Sequence, residues 1–211
     1  MAKVIQGNFP ASPRKKVVPI KEKSPADIYQ LKISLIYSSP PIWRRVQVPA
    51  TMKLSLLHEV IQLCMGWTDT HLHQFVIHNN FYGPANLEND WNEIKAYDEK
   101  KFSLCDLEAD IRKGCMYEYD FGDGWQHEIK IEKVLPPDGK TPKHPVLLAG
   151  ERACPPEDIG GIPGYEDFLE ALADPESEER EEMLQWYGSD HFAPEYFDIE
   201  KINKILKKIK Y

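Results

Sequence analysis

The chain has 211 residues, of which 42% are hydrophobic and 28% charged, enough apolar side chains for one core and too few residues to favour two. No run approaches the roughly eighteen apolar residues of a membrane helix. Met1–Gln6 lacks the apolar stretch of a secretory signal, so a cytoplasmic protein is expected.

Cys64, Cys105, Cys115 and Cys154 never form a Cys-x-x-Cys pair, which argues against a zinc ribbon or a thioredoxin-type centre and for reduced thiols. The net charge of −8 is uneven. Residues 1–27 hold Lys3, Arg14, Lys15, Lys16, Lys21 and Lys23 against Glu22 and Asp27, a balance of +4 that leaves −12 on residues 28–211. A body that acidic is a poor general ligand for nucleic acid, because neutralising phosphates takes clustered Lys and Arg. With Pro10, Pro13, Pro19 and Pro25 and no apolar periodicity, residues 1–27 read as a disordered basic leader, either a solubilising tail or a contact for a polyanion. Residues 28–211 then form a single domain.

In chain order, Tyr29, Leu31, Ile33, Leu35 and Tyr37 alternate with Gln30, Lys32 and Ser34, which predicts a strand from Ile28. Ser38-Ser39-Pro40-Pro41 breaks it, and Ile42–Val48 reads as a second strand ended by Pro49. Leu57, Val60, Ile61 and Cys64 fall at i, i+3, i+4, i+7, one face of a helix stopped by Gly66. His71–His78 reads as a third strand, residues 79–101 as a long loop, and Ser103–Asp110 as a short helix. A hairpin over Cys115–Val134 follows, then a Pro-rich connection and the apolar run Val146–Ala149. Helices are predicted over Tyr165–Ala173, Glu176–Tyr187 and Ile199–Ile209, the last with Asp198 as N-cap. The expected class is α+β: an antiparallel β-sheet with several helices, concentrated in the C-terminal third.

The hairpin register follows from the apolar faces. A three-residue loop, Gly122-Asp123-Gly124, sets Phe121 opposite Trp125, Tyr119 opposite His127 and Tyr117 opposite Ile129, with Gly124 supplying the left-handed residue. Glu118, Asp120, Gln126, Glu128 and Lys130 then occupy the other face.

Three ordered blocks carry a resemblance. Pro40-Pro41-Ile42-Trp43-Arg44-Arg45, followed by Leu57-His58, Gly66-Trp67 and His71-Leu72-His73-x-Phe75, opens the pattern. Tyr119-Asp120-Phe121-Gly122-Asp123-x-Trp125-x-His127 is the second block. Cys154-Pro155-Pro156-Glu157-Asp158-x-Gly160-Gly161-x-x-Gly164-Tyr165 is the third. At these spacings the chain resembles the plasmid pRiA ORF-three-like family over roughly residues 28–205. The resemblance implies an association with plasmids and transposable elements and assigns no biochemical activity.

Among candidate sites, Asp120-Phe121-Gly122 is not the kinase magnesium motif, since no His-Arg-Asp loop or Gly-rich phosphate loop accompanies it. His71 and His73 are the metal candidates. At i and i+2 of a strand they share a face and could share one divalent ion, with His58, His127, Asp123, Cys154, Glu157 or Asp158 as third ligand. The competing reading gives each histidine one hydrogen bond and no ion. The register puts Asp120 and His127 on opposite faces, leaving His127 as a buried core histidine and Asp123 as a turn residue. Trp43, Trp67 and Trp125 read as core or rim aromatics, and Trp125 is also a binding candidate together with Asp123, Glu157 and Asp158. Arg44 and Arg45 alternate across a strand, so at least one faces out, for an anion or for a surface salt bridge. Cys154–Tyr165 is either a binding loop or a shaped connection, and Cys154 is a lone thiol with no positioned base.

Two functions are therefore expected. One is a non-enzymatic binding or accessory module engaging a protein or nucleic-acid complex, with no membrane partner. The other is a metal-dependent hydrolase or nuclease using His71, His73 and the acidic 154–158 loop. If the three blocks serve one site, a histidine of the first, the Gly122–Gly124 tip and the 154–165 loop should meet on one concave surface.

Overall fold

A computed structural model describes residues 27–85, 96–137 and 144–209. The predicted basic leader, apart from Asp27, lies outside these residues. In chain order the elements are β1 (Ile28–Leu35), β2 (Trp43–Pro49), α1 (Leu54–Met65), β3 (His73–Ile77), β4 (Asn80–Gly83), β5 (Tyr97–Asp98), α2 (Leu104–Ile111), β6 (Cys115–Tyr119), β7 (Trp125–Leu135), β8 (Val146–Glu151), α3 (Gly161–Ala173), α4 (Glu178–Tyr187) and α5 (Ile199–Leu206). The strands form one mixed sheet in the order β5-β4-β3-β6-β7-β1-β2-β8. Only the β4–β5 pair is parallel. The architecture is α+β as predicted. The concentration of helices in the last third holds only in part, because α1 and α2 fall among the strands.

Alternation builds the core. Leu31, Ile33, Val46, Phe75, Tyr117, Trp125 and Ile129 point to one face, where α1 packs Leu54, Leu57, Val60, Ile61 and Cys64 against them. The opposite face is polar and cross-linked by Arg45–Glu132, Gln30–Glu132 and Gln74–Glu118 contacts of 2.6–2.8 Å. At the β8 edge the Asn203 amide of α5 accepts from Leu147 N (2.8 Å) and donates to Leu147 O (2.9 Å), standing in for a ninth strand. Asp198 caps α5 as predicted, accepting from Lys201 N at 2.8 Å.

Three local expectations change. The first strand stops at Leu35, and Tyr37 turns out at φ 66 into solvent. Part of the expected loop 79–101 is strand. His78 and Asn79 both take positive φ, 45 and 67, the two-residue turn that lets β4 return on β3 with Ile77 opposite Asn80. The hairpin register slips by two residues: Tyr119 faces Trp125 and Tyr117 faces His127 across a five-residue loop. The cause is Asp120. At φ 56 its Oδ1 accepts from Gly122 N (2.9 Å), and its carbonyl accepts from Gly124 N (2.6 Å), so the side chain closes the loop and ends the strand two residues early. Phe121 leaves the sheet and is exposed. Five, like three, is odd, so the core and solvent faces of the hairpin survive.

Candidate functional site

The three sequence blocks meet beyond one end of the hairpin. Gly66, at φ 96, ends α1 and turns the chain so that the Trp67 indole donates to Pro155 O at 3.0 Å. Glu157 then accepts from Thr68 N (3.2 Å), Thr68 Oγ1 (2.5 Å) and the Tyr119 hydroxyl (2.5 Å). Burial alone would raise this carboxyl. Hydrogen bonds from Thr68, Tyr119 and Thr70 outweigh it and hold Glu157 below its ordinary value, ionised. The other two junctions use backbone amides as donors. Asp120 N donates to Leu72 O at 2.9 Å. Asp123 Oδ2 accepts from Gly160 N at 3.2 Å, and Gly161 lies so close that a Cβ there would stand 2.4 Å from Asp123 O.

At this junction His71 Nε2 lies 3.1 Å from Asp158 Oδ1 and 3.7 Å from Asp120 Oδ2. The nitrogen is shielded from solvent and makes no hydrogen bond of acceptable geometry. Its ring stands edge-on to Tyr119 at 5.8 Å. Asp120 is nearly buried, whereas the Asp158 side chain is 69% exposed. Both aspartates sit at positive φ, 56 and 61, conformations that cost an L-residue energy and are typical of sites held by their surroundings. Beside Asp158 opens a groove of 440 Å³, whose walls include Trp67, Pro155, Glu157, Trp186, Tyr187 and Phe192.

His73 is not part of this group. The strand begins at His73, so His71 is off the pleat, and the expected i, i+2 pair does not address one ion. His73 Nε2 instead pairs with buried Glu99 at 2.9 Å. Its ring stacks on His58 at 3.5 Å and 4°. His58 bonds the Tyr117 hydroxyl (2.8 Å) and Asp69 (2.9 Å). His58, Asp69 and His73 bring donor atoms near one another, yet they make a poor cation site. Imidazole lone pairs lie in the ring plane, and two parallel stacked rings cannot aim them at one ion. Burial, then the adjacent His73, pushes His58 down to about 4, which marks a neutral, structural ring.

The remaining candidates divide between framework and site. Arg44 is 1% exposed and gives its guanidinium to the carbonyls of Trp43, Cys64, Glu151 and Arg152, while stacking 4.3 Å over Phe197. It is closed to an anion because the turn after β8 wraps it. Arg45 forms the surface pair with Glu132. Trp125 is fully buried against Trp67 at 5.8 Å, so it cannot meet a ligand. His127 is fully buried, with Nδ1 3.1 Å from Trp125 O, and burial pushes it down to about 4. Burial likewise pushes the Cys154 thiol up to about 12, which removes it as a nucleophile. Asp123 and Glu157 fasten the loops, and Asp158 alone of the predicted binding residues reaches the triad. Sequence reasoning missed Asp120, which it had placed on the solvent face of the hairpin. It also missed the α4 aromatics, whose adjacency to the third block is purely tertiary.

A profile of the plasmid pRiA4b ORF-3-like protein family matches residues 27–201. The chain belongs to that family. It is 41% identical over 182 residues to the uncharacterized protein y4hQ of Sinorhizobium fredii (strain NBRC 101917 / NGR234), covering 86% of this chain and 91% of that relative. Its fold is similar to the crystal structure of MM3350, a protein of unknown function from Methanosarcina mazei Go1. There the TM-score is 0.72 at 40% identity, over 83% of this chain and 97% of the other. These relatives carry no assigned activity. Among the described residues no helix is long and apolar enough to cross a membrane.

Proposed function

We propose that the protein is a binding module organised around a divalent-cation site formed by His71, Asp120 and Asp158. The observation that supports it is the convergence of one nitrogen and two oxygen donors, one from each sequence block. An ion held tetrahedrally by bonds of about 2.1 Å separates its ligand atoms by roughly 3.4 Å. The separations from His71 Nε2, 3.1 and 3.7 Å, bracket that value. The shielded nitrogen without a hydrogen bond gains a partner, and two carboxylates balance a double positive charge. A mixed nitrogen–oxygen set suits zinc or manganese better than a soft metal. Residues 28–211 would act as one domain. The plasmid in the family's name supports a cytoplasmic, accessory role in protein or nucleic-acid complexes of mobile elements.

A second reading, a metal-dependent hydrolase, draws on the same triad. Three protein ligands with an exposed Asp158 leave coordination positions for water and substrate, as in catalytic zinc sites. The metal itself is tested first. Elemental analysis and calorimetric titration with Zn²⁺ and Mn²⁺ should show one equivalent bound. At a free ion concentration 100-fold above Kd the protein should gain about 2.7 kcal/mol of stability. His71→Ala and Asp158→Asn should abolish both effects. Full binding by His71→Ala would overturn the assignment.

A further inference from the structure

The third block, α3, α4 and the segment up to the start of α5 carry a charge the triad does not use. Residues 151–200 hold sixteen acidic groups against Arg152 and Arg180, a balance of −14, so the rest of this −8 chain carries +6. Neither arginine offsets the field outward. Arg152 is half-buried and pairs with Glu195, and Arg180 donates to the Leu172 carbonyl. The acidic groups of α3 and α4 are exposed.

On this surface α4 stands apart. It buries none of its ten residues, its first five positions are Glu-Glu-Arg-Glu-Glu, and its last two are Trp186 and Tyr187, 48% and 38% exposed. These two aromatics form one wall of the groove that Trp67 and Phe192 complete, and the groove has no Lys or Arg in its lining. Tyr187 and Phe192 stand perpendicular at 5.3 Å, and both line the groove.

We propose that this acidic, aromatic groove docks a Lys- or Arg-rich segment of a partner protein. Charge complementarity selects the occupant. A nucleic acid or an anionic membrane would meet a like field, whereas a basic segment is drawn to it. Long cationic side chains also match the groove's chemistry. Their methylene stems cover apolar walls, and their heads sit over Trp and Tyr faces with carboxylates in reach. Exposed Trp and Tyr at the centre of a polar surface are the anchors such interfaces use. The inference is independent of the triad, although Asp158 borders both.

The test uses full-length protein and a decalysine peptide, followed by intrinsic tryptophan fluorescence and calorimetry at 50 and 300 mM salt. Binding should quench or shift the tryptophan emission and weaken at least tenfold at the higher salt. Trp186→Ala should weaken it at least tenfold. Glu181→Lys combined with Glu182→Lys, at exposed positions that leave the fold intact, should do the same and flatten the salt dependence. Arg45→Met, on the polar face of the sheet and outside the groove lining, should bind within twofold of the parent. Absence of binding would overturn the proposal. So would binding that Trp186→Ala leaves unchanged, which is diffuse charge attraction, or equal binding of duplex DNA.

Discussion

Arg44 and Arg45 are neighbours on β2 and offer a controlled comparison of burial with exposure. Arg44→Met keeps the apolar stem and removes four hydrogen bonds of 2.7–2.9 Å to the carbonyls of Trp43, Cys64, Glu151 and Arg152. At about 1.5–3 kcal/mol for each charged bond the gross loss is about 6–12 kcal/mol. Part is returned, because the guanidinium is desolvated enough to lower its pKa and that cost disappears with it. A net loss of about 3–5 kcal/mol remains. Arg45→Met removes a pair with Glu132 whose side chains are 30% and 23% exposed, worth about 0.2–1 kcal/mol. For a domain of this size each kcal/mol is about 2–4 °C, so Arg44→Met should melt about 6–20 °C lower and Arg45→Met within about 4 °C of the parent. Urea unfolding with an unchanged m-value, alongside calorimetry, measures both. An Arg44→Met loss below 1 kcal/mol, or an equal loss in the two variants, would refute the claim that burial decides their roles.

Two further outcomes follow from the buried groups. His127 and His58 are held near 4 against about 6.5 when unfolded, so the native state binds fewer protons between those values. Their contribution is complete above about pH 6.5 and is lost as pH falls toward 4, with about 3 kcal/mol from His127 alone. Urea midpoints that stay flat from pH 7.5 to 4.5 would contradict this, because Glu132, lowered to about 2 chiefly by its Arg45 hydrogen bond, keeps its full contribution above about pH 4.5 and loses it only as pH falls toward 2. Gly161→Ala places a Cβ 2.4 Å from Asp123 O at φ 71, so it should cost more than about 2 kcal/mol in denaturation and weaken the Zn²⁺ affinity of the triad by separating the hairpin tip from the 154–161 loop. An unchanged affinity in a folded Gly161→Ala would show that this contact does not position Asp158.

The sheet was legible where a period of two met a real solvent boundary. Leu31, Ile33, Tyr117, Trp125 and Ile129 are core residues because alternation in β1, β6 and β7 is set by one buried face, and that logic needs no tertiary information. It failed where polar side chains set the geometry. The β3–β4 turn depends on His78 and Asn79 both accepting positive φ, and hydrophobic spacing carries no trace of that. Arg44 shows the same limit. Charge predicts exposure, yet the turn at 151–152 brings carbonyls to a guanidinium that the sequence places more than a hundred residues away.

The site was half legible for a related reason. Residue type nominated His71, Asp158 and the loop holding them, and the prediction that three blocks share one surface rested on polar groups the core did not need. Asp120 was set aside by a register argument that treated it as a strand residue. A side chain that caps its own loop leaves the pleat, and its carboxylate then points wherever the loop directs it. Here Oδ1 holds the Gly122 amide while Oδ2 faces His71, so the bond that ends the strand also aims the second oxygen. Asp158 also sits at positive φ, 61, with Oδ1 3.1 Å from the same nitrogen. Two aspartates in left-handed backbone thus face one imidazole nitrogen that lacks a hydrogen bond. Strain of that kind, shared between two loops that meet at one imidazole nitrogen, is what the proposed cation site would draw on, and metal titration of the Asp158→Asn variant tests it.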